Sequence, residues 1–264
     1  MKKFIMMCSM LAAFGFAASV KADDDSAREK MEAGRDLYAQ RGDLSKNDQA
    51  IATLNEAAGL VESDDDLKYE ILILESRAVY WKGNNQTDKD QKKATHDQAM
   101  TLCKAAMALN DDYADAHYFY GINLARWAEA NGVISSLFRK DELMKTMADA
   151  MDRNTLAGAA GETIDGYGPH RTLGRVYFKL PGFAGGSNDK SVKELDKAYA
   201  NAPTLALNAV YLAETLADGN KDQKARARDI LDQLLSKDAS TLNPDRVPET
   251  QQEFNDARAI RKGL

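Results

Sequence analysis

The fold follows from a stretch that reads His170-x2-Leu173-Gly174-x2-Tyr177 and continues as Ser191-x3-Leu195-x2-Ala198-x4-Pro203. Apolar and small residues recur at steps of three and four in both halves, which indicates two amphipathic α-helices. Gly174 in the first helix lets the second helix approach closely, and Pro203 marks the end of the second helix. Because such a pair buries its apolar face only against neighbouring pairs, the stretch predicts a stack of them.

The same spacing recurs along the chain and predicts about five helix pairs. The other first helices read Gly34-x2-Leu37, Ile71-x2-Leu74-Glu75-x2-Ala78, Tyr120-Gly121-x2-Leu124 and Leu212-Ala213-x2-Leu216. Their second helices carry Ala50-x3-Leu54-x2-Ala57, Ala99-x3-Cys103-x2-Ala106, Leu143-x3-Met147-x2-Ala150 and Ala227-x3-Leu231-x2-Leu234. A last helix, from about Glu249 to Ile260, is expected to cap the open end of the stack.

The N-terminus has the pattern of a secretory signal peptide. Lys2 and Lys3 precede an apolar run over 4–18, and Val20-Lys21-Ala22 ends the segment with small residues at the cleavage positions. An uncleaved membrane anchor is the alternative, but the run is shorter than the roughly 20 residues that a span needs. We therefore predict a signal peptide over 1–22, a single domain over 23–264 and a periplasmic location, with no membrane span after cleavage.

The composition argues against several classes of partner and of catalytic or metal site. The formal net charge of −6 argues against nucleic acid and anionic membrane surfaces. After removal of the leader only Cys103 remains, in a slot of the second helix that normally holds a buried apolar residue. The three histidines lack the close spacing of a metal site, and no nucleophile, base and orienting group stand at usable spacing. We expect no metal, no cofactor and no catalytic residue.

The concave face of the stack is the predicted binding surface. In helix-pair repeats the first helix of each pair lines this face, and residues not needed for packing are free to bind a partner. Three arginines there would form a basic patch suited to a carboxylate, since arginine pairs bidentately with carboxylates. Phe183, an aromatic residue that we expect to be exposed on the loop Leu180–Gly186, is a further candidate binding residue. The candidate residues are Tyr118, Ile122, Arg126, Arg171, Arg175, Phe178 and Phe183.

The repeated units resemble the tetratricopeptide repeat superfamily over nearly all of the chain after the leader. The resemblance implies an all-α, right-handed superhelical solenoid of about five helix pairs with a C-terminal capping helix. A narrower resemblance, over Leu180–Leu234, is to the periplasmic T component of tripartite uptake transporters, although that family typically starts as lipoproteins and this leader lacks the lipid-attachment cysteine.

Two functions follow from these expectations. The first is an exported, non-catalytic binding or scaffold protein that recognises a peptide or protein partner in its concave groove. The alternative, implied by the narrower resemblance, is an accessory subunit of an uptake transporter that binds a small apolar or anionic ligand. Both allow a homo-oligomer. An open polar groove favours the first, and a closed apolar cavity favours the second.

Overall fold

The computed structural model describes residues 23–264, and this part of the chain consists of helices joined by short loops, without a β-strand. The predicted signal peptide over 1–22 lies outside the described residues. The helices are α1 (23–39), α2 (Leu44–Leu60), α3 (Asp65–Asn85), α4 (Lys89–Leu109), α5 (Ala114–Asn131), α6 (Lys140–Met151), α7 (Ile164–Lys179), α8 (Asn188–Asn201), α9 (Ala206–Ala217), α10 (Lys221–Leu235), α11 (Ala239–Leu242) and α12 (Val247–Gly263).

These helices form the predicted all-α solenoid of stacked pairs. Consecutive helices pack against each other along the chain, and the first helices of successive pairs also touch, α3 with α5, α5 with α7 and α7 with α9. The buried side chains form one apolar cluster over α1 to α7 and a second over α8, α9, α10 and α12. Each helix pair therefore buries its apolar side chains against the adjacent pairs, as expected for a solenoid.

Side chains at the helix starts explain where the helices begin. Asp64 accepts a hydrogen bond from the backbone N–H of Leu67 at 2.9 Å, and Asp88 does the same for Gln91 at 2.8 Å. Asn220 and Gln223 form a reciprocal capping box at the start of α10. The acidic run that contains Asp64 thus serves as a helix cap, as its position in the sequence suggests.

The predicted pairing of small with large residues is confirmed in three units. A Cβ added to Gly174 would lie 2.5 Å from Leu195 Cγ, one on Gly34 would lie 2.7 Å from Leu54, and one on Gly121 would reach Met147 Cε. In the second unit the prediction is wrong by one residue. Ser76, not Glu75, faces Cys103, with Oγ and Sγ 3.1 Å apart, because a small side chain fits the close approach and a glutamate does not.

Glu75 is instead buried in α3 with 1% of its surface exposed. Burial raises the pKa of this carboxyl to about 7, and a hydrogen bond with Asn55 only partly offsets the rise. The folded protein therefore retains a proton there that the unfolded chain loses near pH 4.5. Stability contributed by this proton is full at low pH and falls as the pH rises towards 7.

Glu75→Gln is expected to raise the free energy of unfolding at pH 8 by about 2 kcal/mol and to leave it nearly unchanged at pH 4.5. Urea titrations at both pH values measure the difference. Glu62→Gln, at an exposed position, is the control and should change stability by less than about 0.5 kcal/mol. Equal effects of Glu75→Gln at the two pH values would contradict the assignment.

Candidate functional site

The concave face of the stack encloses a cavity of about 1110 Å³. Each first helix contributes side chains to its wall: Tyr38 from α1, Arg77 from α3, Arg126 from α5, Arg175 from α7 and Tyr211 from α9. This follows from the pairing, because the second helix of each pair packs on the outside. The cavity is lined by apolar as well as charged side chains, which suits a ligand with both characters.

The C-terminal part of the chain completes the wall. Helix α12 packs on α9 and α10, as expected of a cap. Residues 243–249, which precede α12 and form its first turn and which we call the closing segment, also reach the first helix pair. Arg41 Nε and Nη2 donate to the two carboxylate oxygens of Glu249 at 2.7 Å each, and Nη2 donates to the carbonyl of Asp245 at 2.7 Å. The last helix therefore joins the two ends of the stack, which repeat spacing alone does not predict.

Five of the seven predicted residues line this cavity: Tyr118, Ile122, Arg126, Arg171 and Arg175. The other two do not. Phe178 is half-buried beside Arg175 and Lys179, whose cationic groups lie 5.7 and 4.9 Å from its ring centroid. Phe183 is 83% exposed on a short turn, Gly182–Ala184, outside the cavity wall.

A strained turn before α7 places one carboxylate at the centre of the wall. Asp165 and Tyr167 have positive φ angles of 49° and 60°, with Gly166 between them, and regular helix begins at Gly168. Such backbone costs about 1–3 kcal/mol per non-glycine residue and persists only where surrounding contacts hold it. The strain positions the carboxylate of Asp165 towards the tyrosine and two arginines around it.

Three side chains donate to that carboxylate. Tyr118 Oη lies at 2.7 Å, Arg171 Nη2 at 2.5 Å and Arg246 Nη1 at 2.7 Å. Burial alone would raise the pKa of Asp165, but the guanidiniums of Arg246 and Arg171 lower it to about 2. Asp165 is therefore ionised at neutral pH and links α5, α7 and the closing segment.

Arg171 belongs to the hydrogen-bond network around Asp165. Only 4% of it is exposed, and its guanidinium also donates to Asn208 Oδ1 at 3.0 Å and to the carbonyl of Asp165 at 2.9 Å. Its donors are satisfied inside the protein, so it shapes the wall and is not available to a partner. Sequence register places it on the concave face correctly but gives no indication of this internal network.

Arg126 and Arg175 stand further into the cavity. Arg126 Nη1 donates to Glu129 at 2.8 Å, and its Nη2 donates to the hydroxyl of Tyr211 at 3.1 Å. The guanidinium of Arg175 lies over the Tyr211 ring, 4.4 Å from the centroid, and pairs with Glu214. The two side chains are 30% and 19% exposed, so each retains contact with solvent in the cavity.

The charge of the wall is opposite to that of the protein. Ten cationic residues line the cavity: Arg35, Arg41, Arg77, Arg126, Arg139, Lys140, Arg171, Arg175, Lys179 and Arg246. Five acidic residues line it: Asp115, Glu129, Asp165, Asp245 and Glu249. The wall thus carries a formal excess of five positive charges in a chain of net charge −6.

The other residues considered from the sequence lie away from this wall. Burial raises the pKa of the Cys103 thiol to about 12, and it contacts Ser76. One ring nitrogen of each histidine forms a hydrogen bond: Nδ1 of His96 with Asn123, Nε2 of His117 with the carbonyl of Asp111, and Nδ1 of His170 with Glu194. In the described part of the chain, His, Cys, Asp and Glu form no group of three or more that could hold a metal ion. Nor does any helix within 23–264 combine the length and apolarity needed to cross a bilayer.

One family model matches the chain. It describes regulator of microtubule dynamics protein 1-3. The match covers residues 32–155, a little under half of the 264 residues, and so spans most of the first three helix pairs. The chain is thus similar to that family over the half of the solenoid that contains Arg77 and Arg126. No curated protein matches the sequence.

This match corrects the resemblance drawn from the repeat pattern. The family it names is neither the tetratricopeptide repeat superfamily nor the transporter T component. The physical reason lies in the residues used. A glycine that faces a leucine or methionine, as at Gly121 and Gly174, indicates that two helices pack closely. Many helical hairpins require such close packing. The pattern therefore predicts the packing correctly without identifying the family.

Proposed function

We propose that this protein is a non-catalytic binding protein that takes an acidic peptide segment of a protein partner into its cavity. The observation that carries the proposal is the excess of five positive charges on the cavity wall of an otherwise acidic protein. Like charges concentrated in a concave, partly desolvated site focus the electrostatic potential and attract ligands of opposite sign. A random distribution of the chain's charges would give an acidic wall.

The size and composition of the cavity also favour a peptide. Sites for small molecules usually have volumes of about 300–1,000 Å³, and this cavity slightly exceeds that range. Tyr38, Tyr80, Phe119 and Tyr211 alternate with the arginines around the wall. Aromatic rings and arginines are the side chains that contribute most to protein-partner recognition, because they combine a large contact area with directional polar groups.

Export remains part of the proposal and is supported by the leader pattern over 1–22. N-terminal sequencing of the protein from its native host would test cleavage after Ala22. The alternative role as a transporter accessory depended on residues 180–234, which lie outside the family match. An enclosed cavity is a feature expected of that role, but the wall carries ten cationic residues in place of a dry apolar lining, so we retain the peptide-binding role alone.

Fluorescein-labelled decapeptides of glutamate, glutamine and lysine test the proposal by fluorescence anisotropy. We expect the glutamate peptide to bind and the other two to bind at least tenfold more weakly. Raising NaCl from 50 to 500 mM should weaken the glutamate complex, since ionic contacts are screened. Equal binding of all three peptides, or no binding of the glutamate peptide, would contradict the proposal.

Two matched double variants locate the binding surface. Arg126→Gln with Arg175→Gln removes two charges from the wall and should weaken the glutamate peptide at least tenfold. Arg226→Gln with Arg261→Gln removes two arginines from exposed ion pairs on α10 and α12, outside the cavity, and should leave binding unchanged. Arg171 is kept in both because it is buried. Thermal melting confirms that each variant is folded, and equal weakening by both would exclude the cavity.

A further inference from the structure

One of the ten cationic residues of the cavity has no acidic partner. The nine others each form an ion pair within 4.0 Å. The pairs are Arg35–Glu70, Arg41–Glu249, Arg126–Glu129, Arg139–Glu142, Lys140–Asp141, Arg171–Asp165, Arg175–Glu214, Lys179–Glu214 and Arg246–Asp165. Within residues 23–264, Arg77 forms neither an ion pair nor a side-chain hydrogen bond. It is the one cationic residue of the wall without an ion-pair partner in this part of the chain.

The position of Arg77 is nevertheless well defined. Its guanidinium carbon lies 5.6 Å from the centroid of the Tyr38 ring and 5.5 Å from that of Phe119. These rings come from α1 and α5, the first helices on either side of α3. Cation–π contact of this kind stabilises the charge without using its N–H donors. The side chain is thus held between two aromatic residues while its donors remain free.

Solvent reaches this guanidinium inside the cavity. Arg77 lines the wall and is exposed, whereas its neighbours Ser76 and Ala78 are fully buried. Asp115 also lines the cavity, but its carboxylate accepts from the backbone N–H of Leu156 at 2.8 Å and lies beyond ion-pair distance of Arg77. The positive charge of Arg77 favours the ionised forms of Asp115 and Asp165 from a distance, but no acid within residues 23–264 forms an ion pair with the guanidinium.

We propose that Arg77, held by Tyr38 and Phe119, is the carboxylate-binding subsite of the cavity. Its planar N–H groups receive one carboxylate of the ligand bidentately, a geometry that arginine provides and lysine does not. This inference rests on the proposed function, because it takes the carboxylate from an acidic peptide. The carboxylate comes either from an acidic side chain or from the end of the peptide chain, and the two sources are separable by experiment.

Substitutions at Arg77 test the subsite with the glutamate decapeptide. Arg77→Gln should weaken binding at least tenfold. Arg77→Lys, which keeps the charge but loses the planar fork, should recover less than half of that loss on a logarithmic scale. If Arg77→Lys binds as tightly as the wild-type protein, or if Arg77→Gln has no effect, the bidentate subsite is wrong. In the second case the acidic-peptide proposal survives, provided that the wild-type protein binds the glutamate peptide.

A small probe tests the subsite without any peptide. In ¹H–¹⁵N spectra of the arginine side chains, glutarate should shift the Nε–H resonance of Arg77, assigned by its loss in Arg77→Gln, more than any other. If glutarate shifts it while the glutamate peptide does not bind, the subsite stands and the proposed function fails. If only inorganic phosphate shifts it, the carboxylate assignment is overturned. Amidation of the peptide C-terminus separates the two sources, since it weakens binding only when the terminal carboxylate is used.

Discussion

Gly174→Leu is expected to lower the free energy of unfolding by about 3 kcal/mol or more. The added Cβ would lie 2.5 Å from Leu195 Cγ and 3.1 Å from the backbone oxygen of Ser191, far closer than van der Waals contact. Because Leu195 is fully buried and the second contact is with backbone, α7 and α8 must separate to admit the side chain. Denaturant titration followed by circular dichroism measures the loss.

Gly59→Ala is the matched control for that prediction. Gly59 also lies within a helix, α2, but no heavy atom stands within 4 Å of the Cβ that would be added. Alanine there should stabilise the protein by about 0.5–1 kcal/mol through helix propensity alone. If Gly174→Leu unfolds at the same denaturant concentration as the wild-type protein, the helix pairing described above is incorrect.

Asp165→Asn is the second substitution with a large expected effect, a loss of about 3–5 kcal/mol. Asparagine has nearly the same shape and tolerates the positive φ of this residue. It removes the charge that Arg171 and Arg246 share, and Arg171 is only 4% exposed. An arginine left buried without its counter-ion carries the full cost of desolvation. The midpoint of urea unfolding at pH 7 measures the effect.

An exposed ion pair offers the control for this second prediction. Asp232→Asn breaks the pair between Asp232 and Arg261, whose side chains are 56% and 37% exposed, and should cost far less stability than Asp165→Asn because solvent screens the pair. The pH dependence gives an independent test. Since the pKa of Asp165 is lowered to about 2, its contribution is present above pH 4 and is lost as the pH falls towards 2. A stability difference between Asp165→Asn and wild type that is as large at pH 2 as at pH 7 would refute the role of the charge.

Much of the fold can be predicted from the sequence because helix pairing is a local property. Gly174 and Leu195 are 21 positions apart, and a single helical hairpin brings them together. The one error in register, Glu75 in place of Ser76, arises where the unit has no glycine to mark the close approach. Five of the seven candidate residues reach the cavity for the same reason, since each first helix presents a regular face to it.

Only part of the candidate site can be predicted from the sequence, because its charged side chains contact residues that are far away along the chain. Arg171 occupies the predicted face, yet both terminal nitrogens of its guanidinium donate to Asp165, Tyr118 and Asn208 and not to a partner. Arg77 was not among the candidates, although its place on the first helix of the second pair makes it equivalent to those that were. Its distinction, a guanidinium without an acid, becomes visible only when every other pair has been located.

The chain therefore encodes its stack of helix pairs in short-range spacing, where side chains three, four and about twenty positions apart must fit one another. Closure of the cavity depends on contacts between distant parts of the chain, such as Arg41 with Glu249 over 208 positions. No local periodicity specifies such a contact, because it forms only once all the intervening pairs have set the curvature. The basic interior of an acidic protein is for this reason a property of the tertiary structure.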